Sequence, residues 1–287
     1  MDMKLLRAFA TLAELGSYHE AAEALYMTQP ALTKQIQALE NLTGITLFYR
    51  GRHGTKLTAP GMMLYSKSQE LLKHYDDFSE YTRRIQRGGI GKLSLGFGIS
   101  SFQIAPRWVN LFREHYPDVE ISLNDIPSNV QCHMLLEGSL LAGFTRLPMT
   151  DQLKFQELME ETLVLAIPQG VHADPANIQP TLDRYQLLQI NPRRGRGLAE
   201  QVETFLKENY LTGKPASAAD DIHTLLALVA AGNCVALLPA GVSHFLPTGV
   251  SLIKLEGKNV MWSIGIAWNP HIKDILRDNF LQMIISR

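Results

Sequence analysis

From Met62 to Gln86 the chain runs without a glycine or proline, and Met62, Leu64, Tyr65, Leu71, Leu72, Tyr75, Phe78 and Ile85 decorate the stretch at helical spacing. A helix of about 26 residues is about 39 Å long, too long to be buried alone, and its apolar stripe requires a partner surface. The simplest partner is the same helix of a second subunit; the alternative is a helix lying against the C-terminal part of its own chain. Gly88, Gly89 and Gly91 then break the helix and provide a hinge. The chain therefore divides into residues 1–58, a linker over 59–90, and 91–287, in keeping with a length of 287 residues that exceeds one ordinary domain.

Charge and apolar content narrow the functional classes. Hydrophobic residues make up 46% and charged residues 19%, an ordinary globular balance with little room for long disorder. No apolar run reaches the roughly 18 residues of a membrane span, and Met1 to Phe9 lacks a signal-peptide pattern, so the cytoplasm is the expected location and no membrane partner is expected. Cys132 and Cys234 are too few for a disulfide framework or a zinc site and read as buried small hydrophobes, with a redox-sensing thiol as the alternative. The net charge of −1 is unevenly placed. Residues 31–60 carry Lys34, Arg50, Arg52 and Lys56 against Glu40 alone, while residues 91–287 hold 16 basic and 19 acidic groups. A local basic stripe suffices for a nucleic-acid contact.

Leu5, Leu6, Phe9, Leu12 and Ala13 recur at helical spacing through Met3–Leu15, and Gly16 ends that helix. Ser17 and Glu20 fit a capping box opening a second, short helix with Ala21, Ala22 and Leu25 on its buried face. Thr28 caps a third, with Pro30 in its first turn and Leu32, Ile36 and Leu39 spaced for the core. Its outer face carries Gln29, Thr33, Lys34 and Gln37, side chains suited to base edges and phosphates in a major groove about 12 Å wide. Two short helices joined by a tight turn, the second polar outside, form a helix-turn-helix pattern. Gly44 to Arg50 reads as a strand and Gly51, Arg52, His53 and Gly54 as a turn before Lys56, Leu57 and Thr58. That hairpin is a wing whose arginines suit a phosphate or a minor groove.

The segment SYHEAAEALYMTQPALTKQIQALENLTGITLFYRGRHGTKLTAPG, residues 17–61, resembles the winged helix-turn-helix of the LysR-type transcriptional regulators along nearly its whole length. Ser17, Ala21, Ala22, Leu25, Gln29, Pro30, Ile36, Leu39, Glu40, Gly44, Leu47, Phe48, Arg50, Leu57, Thr58 and Gly61 stand where that family's pattern puts them. Thr33 replaces the usual serine and retains the hydroxyl. Most of these positions are core, and Glu40 is read as a structural partner. Those expected at double-stranded DNA are Gln29, Pro30, Thr33, Lys34, Gln37, Arg50, Arg52 and His53. The resemblance also implies that the linker helix forms a dimer contact, giving a homodimer or homotetramer.

Beyond Gly91 strands and helices alternate. Leu93, Leu95, Phe97 and Ile99 read as a strand, Ile104, Trp108, Leu111 and Phe112 as a helix ended near Pro117, and Val119, Ile121 and Leu123 as a strand. Val130–Glu137 and Leu198–Asn209 read as helices; Leu140–Phe144, Leu163–Ile167 and Leu187–Ile190 read as strands. Ile222–Ala231 reads as a helix and Val235–Leu238 as a strand. The expectation is parallel sheet with helices on both faces and ligands outside the carboxyl ends of the strands. The loops there are Ser100–Gln103, Pro127–Asn129, Thr145–Leu147, Asn191–Arg196 and Ala219–Thr224.

LVAAGNCVALLP, residues 228–239, and Ile104 to Pro117 are again similar to the LysR family. The resemblance implies an α/β periplasmic-binding-protein-like domain of two subdomains, 91–162 with 264–287 and 163–263, joined by strands crossing near Thr162 and Ser263. The last segment, with Ile272, Ile275, Leu276 and Phe280, would return to the first subdomain. The cleft between the subdomains would hold a small-molecule effector, contacted by Ser100, Ser101, Phe102, Gln103, Ser128, Thr145, Arg146, Asn191, Arg193, Arg194 and His223. Guanidinium groups bind carboxylates and phosphates in bidentate fashion, so an anionic effector is expected. GSLLAGF departs from the family by placing Leu141 where an aspartate is common, which puts one polar contact near the cleft in doubt.

Two other functional classes fit the residues less well. An enzyme would carry a nucleophile elbow, phosphate loop, zinc-helix or dinucleotide motif, and the sequence contains none; its nine histidines show no metal-ligand spacing. No catalytic residue, cofactor or metal is therefore expected. A solute-binding module with an incidental helix-turn-helix would need an export signal.

Overall fold

A computed structural model describes residues 2–51, 54–146 and 150–286. They form two compact units that meet in sequence between Gln86 and Arg87. The first comprises α1 (Met3–Leu15), α2 (Tyr18–Ala24), α3 (Gln29–Thr43), a hairpin of β1 (Phe48–Gly51) and β2 (Gly54–Leu57), and α4 (Ala59–Gln86). Its helix ends follow the local signals. Asp2 caps α1, Gly16 closes it with φ 65°, and the Ser17 and Thr28 hydroxyls accept the Glu20 and Ala31 amides. Leu6, Phe9 and Leu12 of α1 pack on Ala21, Ala22, Leu32, Ile36 and Leu39, and Phe9 lies edge-on to Phe48 and Tyr65 at 5.5 and 6.3 Å.

The strand expected from Gly44 starts only at Phe48. Gly44 is the left-handed cap of α3, and the backbone of Leu47 is already engaged: its amide donates to Glu40 Oε1 at 2.7 Å and its carbonyl accepts Thr58. Thr58 precedes α4 instead of joining it. Its buried hydroxyl donates to Thr46 O and accepts the Gly61 amide. A Cβ on Gly61 would stand 2.3 Å from Leu47 O, so only glycine fits this corner.

The long helix is confirmed, with 28 residues and a length of about 42 Å. Tyr65, Ser68 and Leu72 turn toward α1, and Arg7 reaches Asp76 at 2.6 Å. At 100° per residue, Met63, Leu71, Tyr75, Phe78, Tyr81 and Ile85 share an adjoining face about 120° wide, and all six are exposed.

The second unit opens with β3 (Gly91–Phe97), a 3-10 turn at Ile99–Ser101, α5 (Ile104–His115), β4 (Val119–Asp125), α6 (Ser128–Glu137) and β5 (Ala142–Arg146). β6 (Lys154–Pro168), α7 (Gln179–Arg184), β7 (Gln186–Ile190), α8 (Pro192–Glu208), β8 (Ala216–Ala219) and α9 (Ile222–Ala230) follow. β9 (Cys234–Pro239), a 3-10 turn at Ala240–Phe245, β10 (Val250–Lys254), β11 (Met261–Trp268) and α10 (Ile275–Ile285) complete it. Strand order is β4-β3-β5-β11-β6-β9-β7-β8, with β10 beside β6.

The sheet is mixed, which corrects the all-parallel expectation. β4-β3-β5 and β9-β7-β8 are parallel triplets, whereas β6, β10 and β11 pair antiparallel. The cause is the 15-residue β6. Its first part pairs with β11 from Met261↔Thr162 to Trp268↔Lys154, and from Leu163 onward it pairs with β9 and β10. One continuous strand thus leads from one triplet to the other, producing a two-subdomain α/β unit. The first half is filled by Leu93, Leu95, Phe112, Phe144 and Phe280, and the second by Leu225, Val229, Leu165, Phe205 and Leu237.

Other boundaries shift for local reasons. Ile99 belongs to the 3-10 turn, not to the strand, because Gly98 ends the ladder and accepts Ser101 N. α8 starts at Pro192 instead of Leu198, since Asn191 accepts the Arg193 amide and Pro192 is preset for a first turn. α6 begins at Ser128, and β5 starts at Ala142. α7, β8 and β10 lack a strong periodic signal in the sequence. Among the described residues no helix is long and apolar enough to cross a membrane.

Candidate nucleic-acid interface and ligand cleft

α3 separates its faces cleanly. Leu32, Ile36 and Leu39 are buried, while Gln29, Pro30, Lys34 and Gln37 are exposed and Thr33 is half-buried between them. Gln29, Pro30, Thr33 and Lys34 lie on the first two turns and Gln37 on the third. On the wing, Lys56 is exposed. Arg52 and His53 lie outside the described residues; Arg50 pairs with Thr55 through its backbone, and its side chain lies outside the description.

In the second unit a cavity of about 320 Å³ lies between the two halves of the sheet. One wall comes from Ser100, Ser101, Ser128, Thr145 and Arg146; the other comes from Gly197, Leu198, Ile222 and His223. Six of the eleven residues expected at a ligand thus line one space. Four do not. Phe102 stacks on His244 at 6.4 Å and packs on Phe245; Gln103 Nε2 lies 2.9 Å from His244 Nδ1, at a separate cavity of about 410 Å³. Asn191 caps α8 and donates to Asp220, and Arg193 is exposed outside the cavity. The Arg194 side chain lies outside the description, as does Leu147.

The cavity's electrostatics come from residues that the sequence pattern left unmarked as well as from those it marked. Arg146 crosses from β5 to α8: its Nη1 donates to Gly197 O at 2.8 Å, and its guanidinium lies 4.0 Å from the centroid of the Trp262 ring. Burial lowers it to about 10, against the opposing pull of Glu161 and Glu200, so it remains charged at neutral pH. Thr145 Oγ1 is buried without a hydrogen-bond partner among the described residues. Asp125, at the end of β4, is pushed up by desolvation and partly drawn back by His223 across the cavity. Asp221 is held below the usual carboxylate range because the Thr224 amide and hydroxyl both donate to it. Arg196 also lines the space and is paired with Glu200. Asp220, Asp221 and Arg196 fall in the Ala219–Thr224 and Asn191–Arg196 loops expected at the ligand, whereas Asp125 was missed because it stands at a strand end whose neighbours depend on sheet order. Burial raises both thiols, which favours the inert reading of Cys132 and Cys234.

Residues 86–282 match the family described as the LysR substrate binding domain, and residues 3–62 match the bacterial regulatory helix-turn-helix protein family of lysR type. The chain belongs to the LysR family. TfdS, a transcriptional regulator of Cupriavidus pinatubonensis, is 30% identical over 85% of this chain and 84% of its own. The uncharacterized regulator YnfL of Escherichia coli is 27% identical over 94% of this chain and 93% of its own. The crystal structure of CbnR, a LysR family transcriptional regulator, superposes with a TM-score of 0.81 at 25% identity, covering 99% of this chain and 100% of that one. This LysR-family chain is a DNA-binding transcriptional regulator with an effector-binding domain, and it is not an enzyme.

Proposed function

We propose that this regulator acts in the cytoplasm as a homodimer or homotetramer that senses a small anionic molecule. Residues 1–58 read DNA, 59–90 link and dimerise, and 91–287 sense, with subdomains 91–162 plus 264–287 and 163–263. Gln29, Pro30, Thr33, Lys34 and Gln37 enter a major groove, and Arg50, Arg52 and His53 contact the flanking backbone or minor groove. Support comes from the exposed polar face of α3 and from the apolar outer face of α4. Sedimentation of the Phe78→Glu variant should show a lighter species than the parent chain; unchanged assembly would reject α4 as the dimer contact.

The observation that carries the sensing reading is the cavity whose walls come from both halves of the second unit, with Ser100, Ser101, Ser128, Thr145 and Arg146 facing His223. A ligand seated there touches both halves, so its affinity differs between their arrangements and its binding shifts that equilibrium. Arg146 and the unpartnered Thr145 hydroxyl support an anion with acceptor oxygens. A calorimetric panel of small mono- and dicarboxylates checks this. Affinity for a hit should fall more than tenfold in Arg146→Gln, and equal affinity would reject the cleft contact.

A further inference from the structure

We propose that the Tyr26 hydroxyl donates a hydrogen bond to a DNA phosphate beside the N-terminus of α3, a contact that rests on α3 being the DNA-reading helix. Tyr26 occupies the turn between α2 and α3 with φ 51°, in the left-handed region, and its side chain is 99% exposed. The turn is a complete helix stop: the Tyr26 amide donates to Glu23 O and the Met27 amide to Ala22 O. Glycine suits this position, and the chain uses it after α1, α3 and α6, at Gly16, Gly44 and Gly138. A tyrosine here strains the backbone and buries nothing, so the fold gains nothing from its ring.

Location supplies the reason. Tyr26 stands two residues before Thr28, the cap of α3, and three before exposed Gln29. Two residues of chain span at most about 7 Å, and a tyrosine hydroxyl reaches about as far, so the hydroxyl can reach the N-terminal end of α3 beside exposed Gln29. Tyrosine hydroxyls and helix N-termini are both phosphate ligands in protein–DNA contacts. Tyr210 provides an internal contrast. It repeats the same turn after α8, with φ 56°, 90% exposure, and bonds from its own amide to Lys207 O and from Leu211 to Leu206 O. It leads into an irregular stretch, not into a reading helix.

The test uses the full chain and a fluorescent 40-base-pair duplex of mixed sequence, because a phosphate contact needs no operator. Tyr26→Gly and Tyr26→Phe should each bind about five- to tenfold more weakly. Neither should change the salt dependence, since a neutral hydroxyl displaces no counterion, whereas Lys34→Ala should reduce that slope by about one. Tyr26→Gly should melt no lower than the parent, and Tyr210→Gly should melt likewise with unchanged DNA affinity. Parent-like binding by either Tyr26 variant overturns the proposal, as does an equal loss in Tyr210→Gly. If the parent chain itself fails to bind the duplex, the reading of α3 fails instead.

Discussion

The polar face of α3 and the cleft of the second unit are built in opposite ways. Gln29, Pro30, Thr33, Lys34 and Gln37 are neighbours on one helix, held by a cap at Thr28 and by Leu32, Ile36 and Leu39 beneath. The cleft draws Ser100, Asp125, Thr145, Gly197 and His223 from five separate segments, and each is placed by a different strand or helix end. A surface on one helix survives wherever that helix folds. A cleft survives only while a whole sheet keeps its order.

Perturbing the small core beneath α3 is expected to have the largest effect. Phe9→Ala should cost about 3–5 kcal/mol, because a fully buried ring that touches Phe48 and Tyr65 is lost. DNA binding should then collapse at a temperature where carboxylate binding persists; simultaneous loss of both would break the contrast between the units. Arg146→Gln comes next. It removes a charged bond to Gly197 and the contact over Trp262, so the unfolding free energy of the second unit should fall by about 2 kcal/mol while DNA affinity without ligand holds.

Asp221→Ala should cost about 1 kcal/mol at neutral pH by uncapping α9. Its carboxyl is held below its ordinary value of 3.8, so this contribution is present above that value and lost as pH falls through the lowered one. Chemical denaturation of parent and variant should therefore converge in strong acid. Asp125 has the opposite sign. Its raised carboxyl weakens the fold once ionised, so Asp125→Asn should be slightly the more stable at neutral pH, with the difference gone below the ordinary carboxylate range. The smallest effect belongs to Arg193→Ala, which should change carboxylate affinity by less than about twofold because Arg193 lies outside the cavity; a larger loss would mean that the helix start at Pro192 contributes to the ligand.

These contrasts set how far the sequence could be read. Gly16, Ser17 and Thr28 mark their helix ends by chemistry within three or four residues, so α1 and the starts of α2 and α3 were legible to within a residue or two, whereas Gly44, read as a strand start, proved to be the cap that ends α3. The α4 stretch was legible from missing breakers, although not its division into a face packed on α1 and an exposed face, which requires knowing where α1 lies. In the cleft, Ser100, Ser128, Thr145 and His223 were legible as strand-end residues. Phe102 and Gln103 were not separable from Ser100 and Ser101 by pattern, because beyond the 3-10 turn at Ile99–Ser101 the chain turns Phe102 onto His244 and Phe245 and Gln103 into the second cavity.

By itself the sequence determined the winged helix, the polar outer face of its third helix, the long helix that follows and the family. Those features repeat every 3.6 residues or sit at a cap, and such signals are local. Only the tertiary structure decided that Lys154–Pro168 is one strand shared by two half-sheets, that Arg146 bridges them onto Gly197, and that Asp125 faces His223. Strand pairing joins residues as far apart as Gly143 and Ala267 by backbone hydrogen bonds common to every side chain, so no short run of residues records which strands meet.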